Sequence, residues 1–269
     1  MGADDVRLAI AKSATYHNSV SHHSRKMKTE ELILLSKIEL TNRFPNVTLG
    51  SSSFRGPHWH LNFEVNDLKM NIAGDIGFQI KINSKDYELP LWKLNEEIEQ
   101  LGKTTEPNIK RQIGILAIEI ENSKNKLINK FNGQINLDKK HIIKPNLIIN
   151  EEIIRKWKPE ERDLKNGYVW LKFENIKYNN QRVILNICSN KNKVVLINMY
   201  PLQNEQIVNE SWNEWNKSKE LEKLTYYEEW ITKEIGRNKY YPWGTIEAVQ
   251  DNKSATTSII VNYKMNNGD

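Results

Sequence analysis

The sequence is poor in the residues that announce a mechanism. It holds one cysteine, Cys188, so neither a disulfide within the chain nor a thiolate metal cluster can form. Cys188 lies in the apolar run 183–188, where a thiol is expected to act as a small buried hydrophobe. No apolar run approaches the roughly 20 residues that a membrane-spanning helix needs. The stretch before Met27 lacks the continuous apolar centre of a secretory signal, and Asp4 and Asp5 come too early for one. Residues 1–26 therefore read as a leader or flexible arm, and the protein as cytoplasmic with no membrane partner. Glycine-rich phosphate loops and a Gly-x-Ser-x-Gly elbow are missing as well, which removes the usual nucleotide and serine-hydrolase signatures. No cofactor is expected.

Concentrated charge of one sign is also lacking. Lys and Arg number 39 against 34 Asp and Glu, a net +5, and the two signs are interspersed. A nucleic-acid protein usually gathers its basic residues into a patch or stripe. The isoelectric point of about 9.0 permits nucleic-acid binding without arguing for it.

What is present is material for a core. The 269 residues are 38% hydrophobic and include eight Trp and ten Tyr, enough for one large domain or two small ones. Leu32, Leu35 and Ile38 have helical spacing, with acidic residues early, and predict a helix over about 28–43. A Ser/Gly/Pro-rich loop is expected at 50–57. In 58–65, Trp59, Leu61, Phe63 and Val65 alternate with His58, His60, Asn62 and Glu64, the period of a strand with one buried face. Residues 78–82 alternate in the same way, so 58–91 reads as an antiparallel meander. A helix is expected over 90–103, with Pro90 at its start and Gly102 at its end. The stretch 111–124 is read as a strand on the alternation of Ile113, Ile115 and Ala117.

The second half repeats the theme. A short helix capped by Asn150 is expected over 150–163, then three strands in 167–202 that form a second meander. A loose echo links "HWHLNFEV" to "YVWLKFENI", as a degenerate duplication would leave. Residues 211–236 read as the strongest helix, with a Ser211/Glu214 capping box and Gly236 as its stop. Two strands follow, 244–250 and 256–264, joined by a turn. The fold class is therefore α+β: two small antiparallel meanders, each flanked by helices, in modules 27–140 and 141–269.

Three constellations bear on chemistry. His58 and His60 share a strand face with Glu64, so the three could approach one metal ion. That spacing resembles the first cupin motif, but Gly50 and Gly74 stand too far away and no second motif follows. Asp67 with Gln79-Ile80-Lys81 resembles the acid…acid-x-Lys core of restriction-type nucleases, with Gln79 in place of the second acid and Asp75 as the nearest spare carboxylate. Either arrangement would make the protein a metal-dependent enzyme, the alternative reading. The plainer account of His58 and His60 is a solvent-facing row opposite Trp59 and Leu61. The third constellation is aromatic: Trp212, Trp215, Tyr226, Tyr227, Trp230, Tyr240, Tyr241 and Trp243 fall within 32 residues. Core packing accounts for most of them. Those left exposed would be protein-interface anchors.

The C-terminal third resembles bacterial immunity-type proteins associated with polymorphic or contact-dependent toxins. The residues that carry the likeness are Glu214, Trp215, Leu221, Ile235, Gly236, Trp243, Gly244, Ile246, Asp251, Lys253, Ser258, Ile259, Ile260 and Tyr263. Residues 78–103 are similar to a strand–turn–strand–helix unit of such proteins. The resemblance implies a non-enzymatic inhibitor that occludes a cognate protein toxin. It assigns no catalytic residue.

Overall fold

The computed structural model describes residues 27–74, 77–83, 88–95, 97–98, 102–203, 216–251 and 255–264. The fold is α+β. The chain forms two compact units, one from Met1–Asn83 and Pro90–Glu119, the other from Ser84–Leu89 and Ile120–Asp269.

In the first unit, helix α1 (Thr29–Arg43) begins where the Glu31 carboxylate accepts the Lys28 N–H at 2.8 Å. It buries Leu32, Ile33 and Leu40 and lies against β1 (Thr48–Arg55) and β2 (His58–Val65). The meander continues through β3 (Leu68–Gly74) and β4 (Phe78–Asn83), and β5 (Glu88–Pro90) completes the order β1-β2-β3-β4-β5. Trp59, Leu61, Phe63 and Val65 are all buried, as their alternation predicts.

Three expectations are corrected here. The stretch 50–57 is not a loop: Thr48–Arg55 is a strand, and the turn is confined to Gly56 and Pro57. Its serines look like loop residues because it is an edge strand with both faces wet. The stretch 111–124 is helical, inside α2 (Glu106–Lys124). The buried residues Ile109, Ile113, Leu116 and Ile120 recur every three or four positions, whereas Ile118 is exposed. Of the helix expected over 90–103, the described residues show a 3₁₀ turn at Leu91–Lys93, and Gly102 bridges to Phe78.

In the second unit, a small hairpin of β6 (Ile135–Asn136) and β7 (Ile142–Ile143) leads to α3 (Glu151–Trp157). Asn150 caps α3 by accepting the Glu152 N–H at 2.8 Å. The helix stops at Lys158, which is left-handed, so 160–163 is strand β8 (Glu160–Asp163) rather than helix. Then come β9 (Tyr168–Tyr178), β10 (Gln181–Asn190) and β11 (Lys193–Pro201), the expected meander. Helix α4 (Lys217–Ile235) starts later than expected. Asn216 is its extended N-cap and accepts the Ser218 N–H, while Ser211 and Glu214 lie outside the described residues. Strands β12 (Tyr240–Tyr241), β13 (Gly244–Asp251) and β14 (Thr256–Tyr263) finish a seven-stranded sheet in the order β12-β13-β14-β11-β10-β9-β8.

Two buried carboxylates fix α4. Glu220 accepts the Thr257 N–H at 2.7 Å and the Lys223 ammonium at 2.8 Å, which ties the first turn to β14. Glu234 accepts the Leu127 N–H at 2.6 Å and the Tyr178 hydroxyl at 2.9 Å, with the Lys126 ammonium at 3.8 Å. Burial pushes the Glu234 carboxyl above the usual range, and its hydrogen bonds offset only part of that. At Glu220 burial also pushes upward, but Lys223 and Thr257 outweigh it and hold the carboxyl low.

The two groups give opposite pH dependence. The folded state holds the Glu234 proton more tightly than the unfolded chain does. Its contribution is complete below the unfolded value of about 4.3 and is lost as pH rises through the folded value. Glu220 contributes above that unfolded value and loses its contribution as pH falls. Glu234→Gln should therefore flatten the decline in stability on the neutral side while leaving the acid limb in place. Glu220→Gln should cost about 1–3 kcal/mol at neutral pH. Urea unfolding of both variants across a pH series reads the two effects.

Candidate partner-binding surface

Strand register sorts the side chains of the seven-stranded sheet into two faces, because residues paired across strands point the same way. One face is core. Ile246, Val261, Ile197, Ile187 and Leu171 form a buried row across five strands, and Ile259, Met199, Leu185 and Phe173 lie in the next. Ile231 of α4 and Ile246 line the same small groove, so the helix covers this face.

The other face points away from α4. One of its rows runs Tyr240, Thr245, Asn262, Leu196, Cys188, Trp170 and Arg162. The next row contains Glu247, Ile260, Asn198, Asn186, Lys172 and Glu160. At one end, Tyr168 pairs with Asn190, Asn190 with Lys193, and Lys193 bridges to Ile148. Large apolar side chains stand out along this face: Tyr240 is 64% exposed, Ile148 69% and Tyr168 38%. Trp170 and Leu196 are half-buried between them.

Two cations at this face have acidic neighbours. The Lys172 ammonium lies 2.6 Å from Glu174 and 4.0 Å from Glu160, and Lys239 lies 3.9 Å from Glu247. Such a face is not a basic stripe for a polyanion. At its centre burial pushes the Tyr200 phenol up, against hydrogen bonds with Ser258, Asn186 and Asn198. The Oδ1 atoms of Asn186 and Asn198 have no hydrogen-bond partner.

The predicted aromatic set separates by depth. Tyr227, Tyr241 and Trp243 are buried. The Tyr241 and Trp243 rings stack at 4.9 Å between centroids, and Tyr263 tilts against Trp243 at 5.9 Å. The Trp243 indole donates to the Lys130 carbonyl at 3.0 Å, and the Tyr263 hydroxyl to the Gly133 carbonyl at 2.8 Å. Gly133 adopts φ +71°, and a Cβ there would overlap the Trp243 ring. Tyr226 and Trp230 are half-buried and share one partner: Gln181 donates to the Tyr226 hydroxyl and accepts from the Trp230 indole at 3.1 Å. Tyr240 alone of the described members is exposed. Trp212 and Trp215 lie outside the described residues.

The metal alternatives fare differently. His58 and His60 are exposed on the polar face of β2, with Glu64 half-buried on the same face. The Ser53 hydroxyl sits 3.3 Å from the His60 ring nitrogens. Asp67 occupies the β2–β3 turn with φ +65°, and Gln79 and Lys81 lie on β4, Lys81 opposite Asn71 of β3. Asp75 lies outside the described residues. Among the described residues, no three His, Cys, Asp or Glu side chains come close enough to hold one metal ion.

Sequence reasoning missed two features. Tyr168 and Ile148 gave no signal because their neighbours on the face come from other strands. His141, which stands alone in the sequence, is clasped in the fold: its Nδ1 lies 2.8 Å from Asp138 and its Nε2 3.4 Å from Glu152, with Trp157 edge-on. Burial pushes Asp138 up, but Lys156 at 2.6 Å and the Lys140 and His141 bonds hold it far below the carboxylate range. The clasp packs α3 against the β6–β7 turn. No helix among the described residues is long and apolar enough to cross a membrane.

Compared with solved structures, the chain is similar to one described as "Rhs1-CT in complex with cognate immunity protein RhsI1", with a TM-score of 0.32 and 13% identity. The alignment covers 51% of this chain and 86% of that one. A likeness this low carries no argument about function. No family model and no curated protein matches the sequence.

The split between core and surface aromatics is measurable. Tyr241→Ala and Trp243→Ala should each cost about 3–5 kcal/mol, the range for an emptied aromatic site. Tyr240→Ala should stay within about 0.5 kcal/mol. Chemical denaturation of the three variants separates them.

Proposed function

We propose that this protein is a non-enzymatic binding protein, an immunity-type inhibitor that occludes a cognate protein toxin. The observation that carries the reading is the sheet face turned away from α4. It sets Tyr240, Leu196, Trp170, Tyr168 and Ile148 along a surface where Lys172 is paired with Glu174. Scattered apolar exposure is ordinary, but apolar side chains aligned on one face and interleaved with polar groups mark a protein interface. Tyr and Trp at such a face are the residue types that anchor binding. The resemblance of the C-terminal third to immunity-type proteins supplies the kind of partner. Inhibition then follows from steric cover: an interface of about 1,600 Å² suffices to close an active site without any chemistry by the inhibitor.

The test is recovery of the tagged protein from its native host, with mass spectrometry of what accompanies it and metal analysis of the same sample. One near-stoichiometric protein partner is expected. Ile148→Asp combined with Tyr168→Ala should weaken the complex at least about a hundredfold, as for two central anchors, with unchanged thermal unfolding. About one tightly held transition metal per chain, lost on His58→Ala and His60→Ala, would sink the inhibitor reading.

A further inference from the structure

The two main sheets treat their edges differently. Natural sheets protect an edge strand by making it short, charging it or placing proline in it. In the seven-stranded sheet, β8 is four residues long and every one is charged, and β12 has only two residues. In the five-stranded sheet, β5 is three residues long and ends at Pro90. Strand β1 has none of these protections. It runs for eight residues, Thr48–Arg55, with no proline, no lysine and one charge, and all but the half-buried Leu49 are exposed. Its single irregularity is a bulge: three steps from Leu49 to Ser52 face two steps, Phe63 to Leu61, on β2.

That bulge makes the strand complementary to itself. Thr48, Ser53 and Arg55 pair with Glu64, His60 and His58 on the solvent face, while Leu49, Ser52 and Phe54 pair with Phe63, Leu61 and Trp59 on the core face. In a regular strand, Thr48 and Arg55 would point to opposite faces. The extra residue puts them on the same face, and Leu49 and Phe54 together on the other. Antiparallel pairing about a two-fold axis, with Thr48 opposite Arg55 of a second copy, therefore matches both faces at once. Phe54, 52% exposed, then covers Leu49 of the second copy. Arg55 stands one strand away from Glu64 of the second copy, because Thr48 is the register partner of Glu64. The two Arg55 side chains sit at opposite ends of the pair.

We propose that β1 is a self-association edge: two copies of this chain pair antiparallel along Thr48–Arg55 and join their five-stranded sheets. The contact is smaller than a standard interface, so the dimer is weak and concentration-dependent. It uses none of the residues of the proposed partner surface.

Sedimentation of the full chain over a wide concentration range tests it, alongside hydrogen exchange of the β1 amides. Wild type should show reversible monomer–dimer exchange, with β1 amides more protected at high concentration. Phe54→Asp and Arg55→Glu should each raise the dissociation constant about tenfold, because the dyad repeats each contact twice. Arg55→Glu combined with Glu64→Arg should return it to within about threefold of wild type. Phe54 and Arg55 are exposed and Glu64 is half-buried, so thermal unfolding is measured on each variant to check that its fold is intact. A monomer at every concentration overturns the proposal, as does a dimer that neither substitution weakens or a charge reversal that restores nothing. A monomer whose β1 amides are nonetheless protected places another segment on the edge and overturns it too.

Discussion

The second unit depends on the Glu234 carboxylate. A carboxylate removed from water is unfavourable unless its lone pairs are filled. Here the Leu127 N–H, the Tyr178 hydroxyl and the Lys126 ammonium fill them. Those partners lie far away in sequence: Leu127 is 107 residues from Glu234 and Tyr178 is 56. One group thus pins the end of α4 to the end of β9 and to the segment that follows α2. That segment then reaches the hairpin, where the Lys130 and Gly133 carbonyls receive Trp243 and Tyr263. Helix and irregular chain together cover one face of the sheet. The opposite face points away from α4.

How much of this was legible in the sequence follows from the range of the interactions. Period-2 alternation in 58–65 and 168–201 marks strands because each residue's burial is set by its own strand. The misreading of 111–124 shows the limit of that signal. Ile113 and Ile115 satisfy a strand pattern, and only Ile109, Leu116 and Ile120 reveal the helical stripe. Strand β1 was missed for the opposite reason: an edge strand exposed on both faces has no alternation to read. The clasp of Asp138, His141, Glu152 and Lys156 spans a hairpin and a helix, so no spacing rule could find it.

The aromatic cluster shows why proximity in sequence is a poor guide to a surface. Tyr240 and Tyr241 are neighbours on a two-residue strand, and alternation sends one to solvent and the other into the core. Trp243 follows Tyr241 by two positions and stacks on it. Exposed anchors are instead gathered by register. Tyr240 joins Trp170 and Leu196 through five successive strand pairings, although more than 40 residues separate it from either. A sequence scan for aromatic density finds the core of such a sheet more readily than its exposed face.

The two sheets present different chemistry to the outside. The seven-stranded sheet ends on one side in Glu160, Glu161, Arg162 and Asp163 and on the other in a two-residue strand, so its edges repel further strands. What it offers is a face of side chains, and recognition there must be read by shape and anchors. The five-stranded sheet offers backbone instead. Its polar face carries His58, His60, Asn62 and Glu64, and β1 ends the strand order among the described residues. Backbone pairing is permissive in sequence and gains its selectivity from the side chains that flank it. On β1 those are small except at the ends, where Leu49, Phe54 and Arg55 set the register. A bulge, usually a device that discourages edge pairing, here brings those ends into mutual phase.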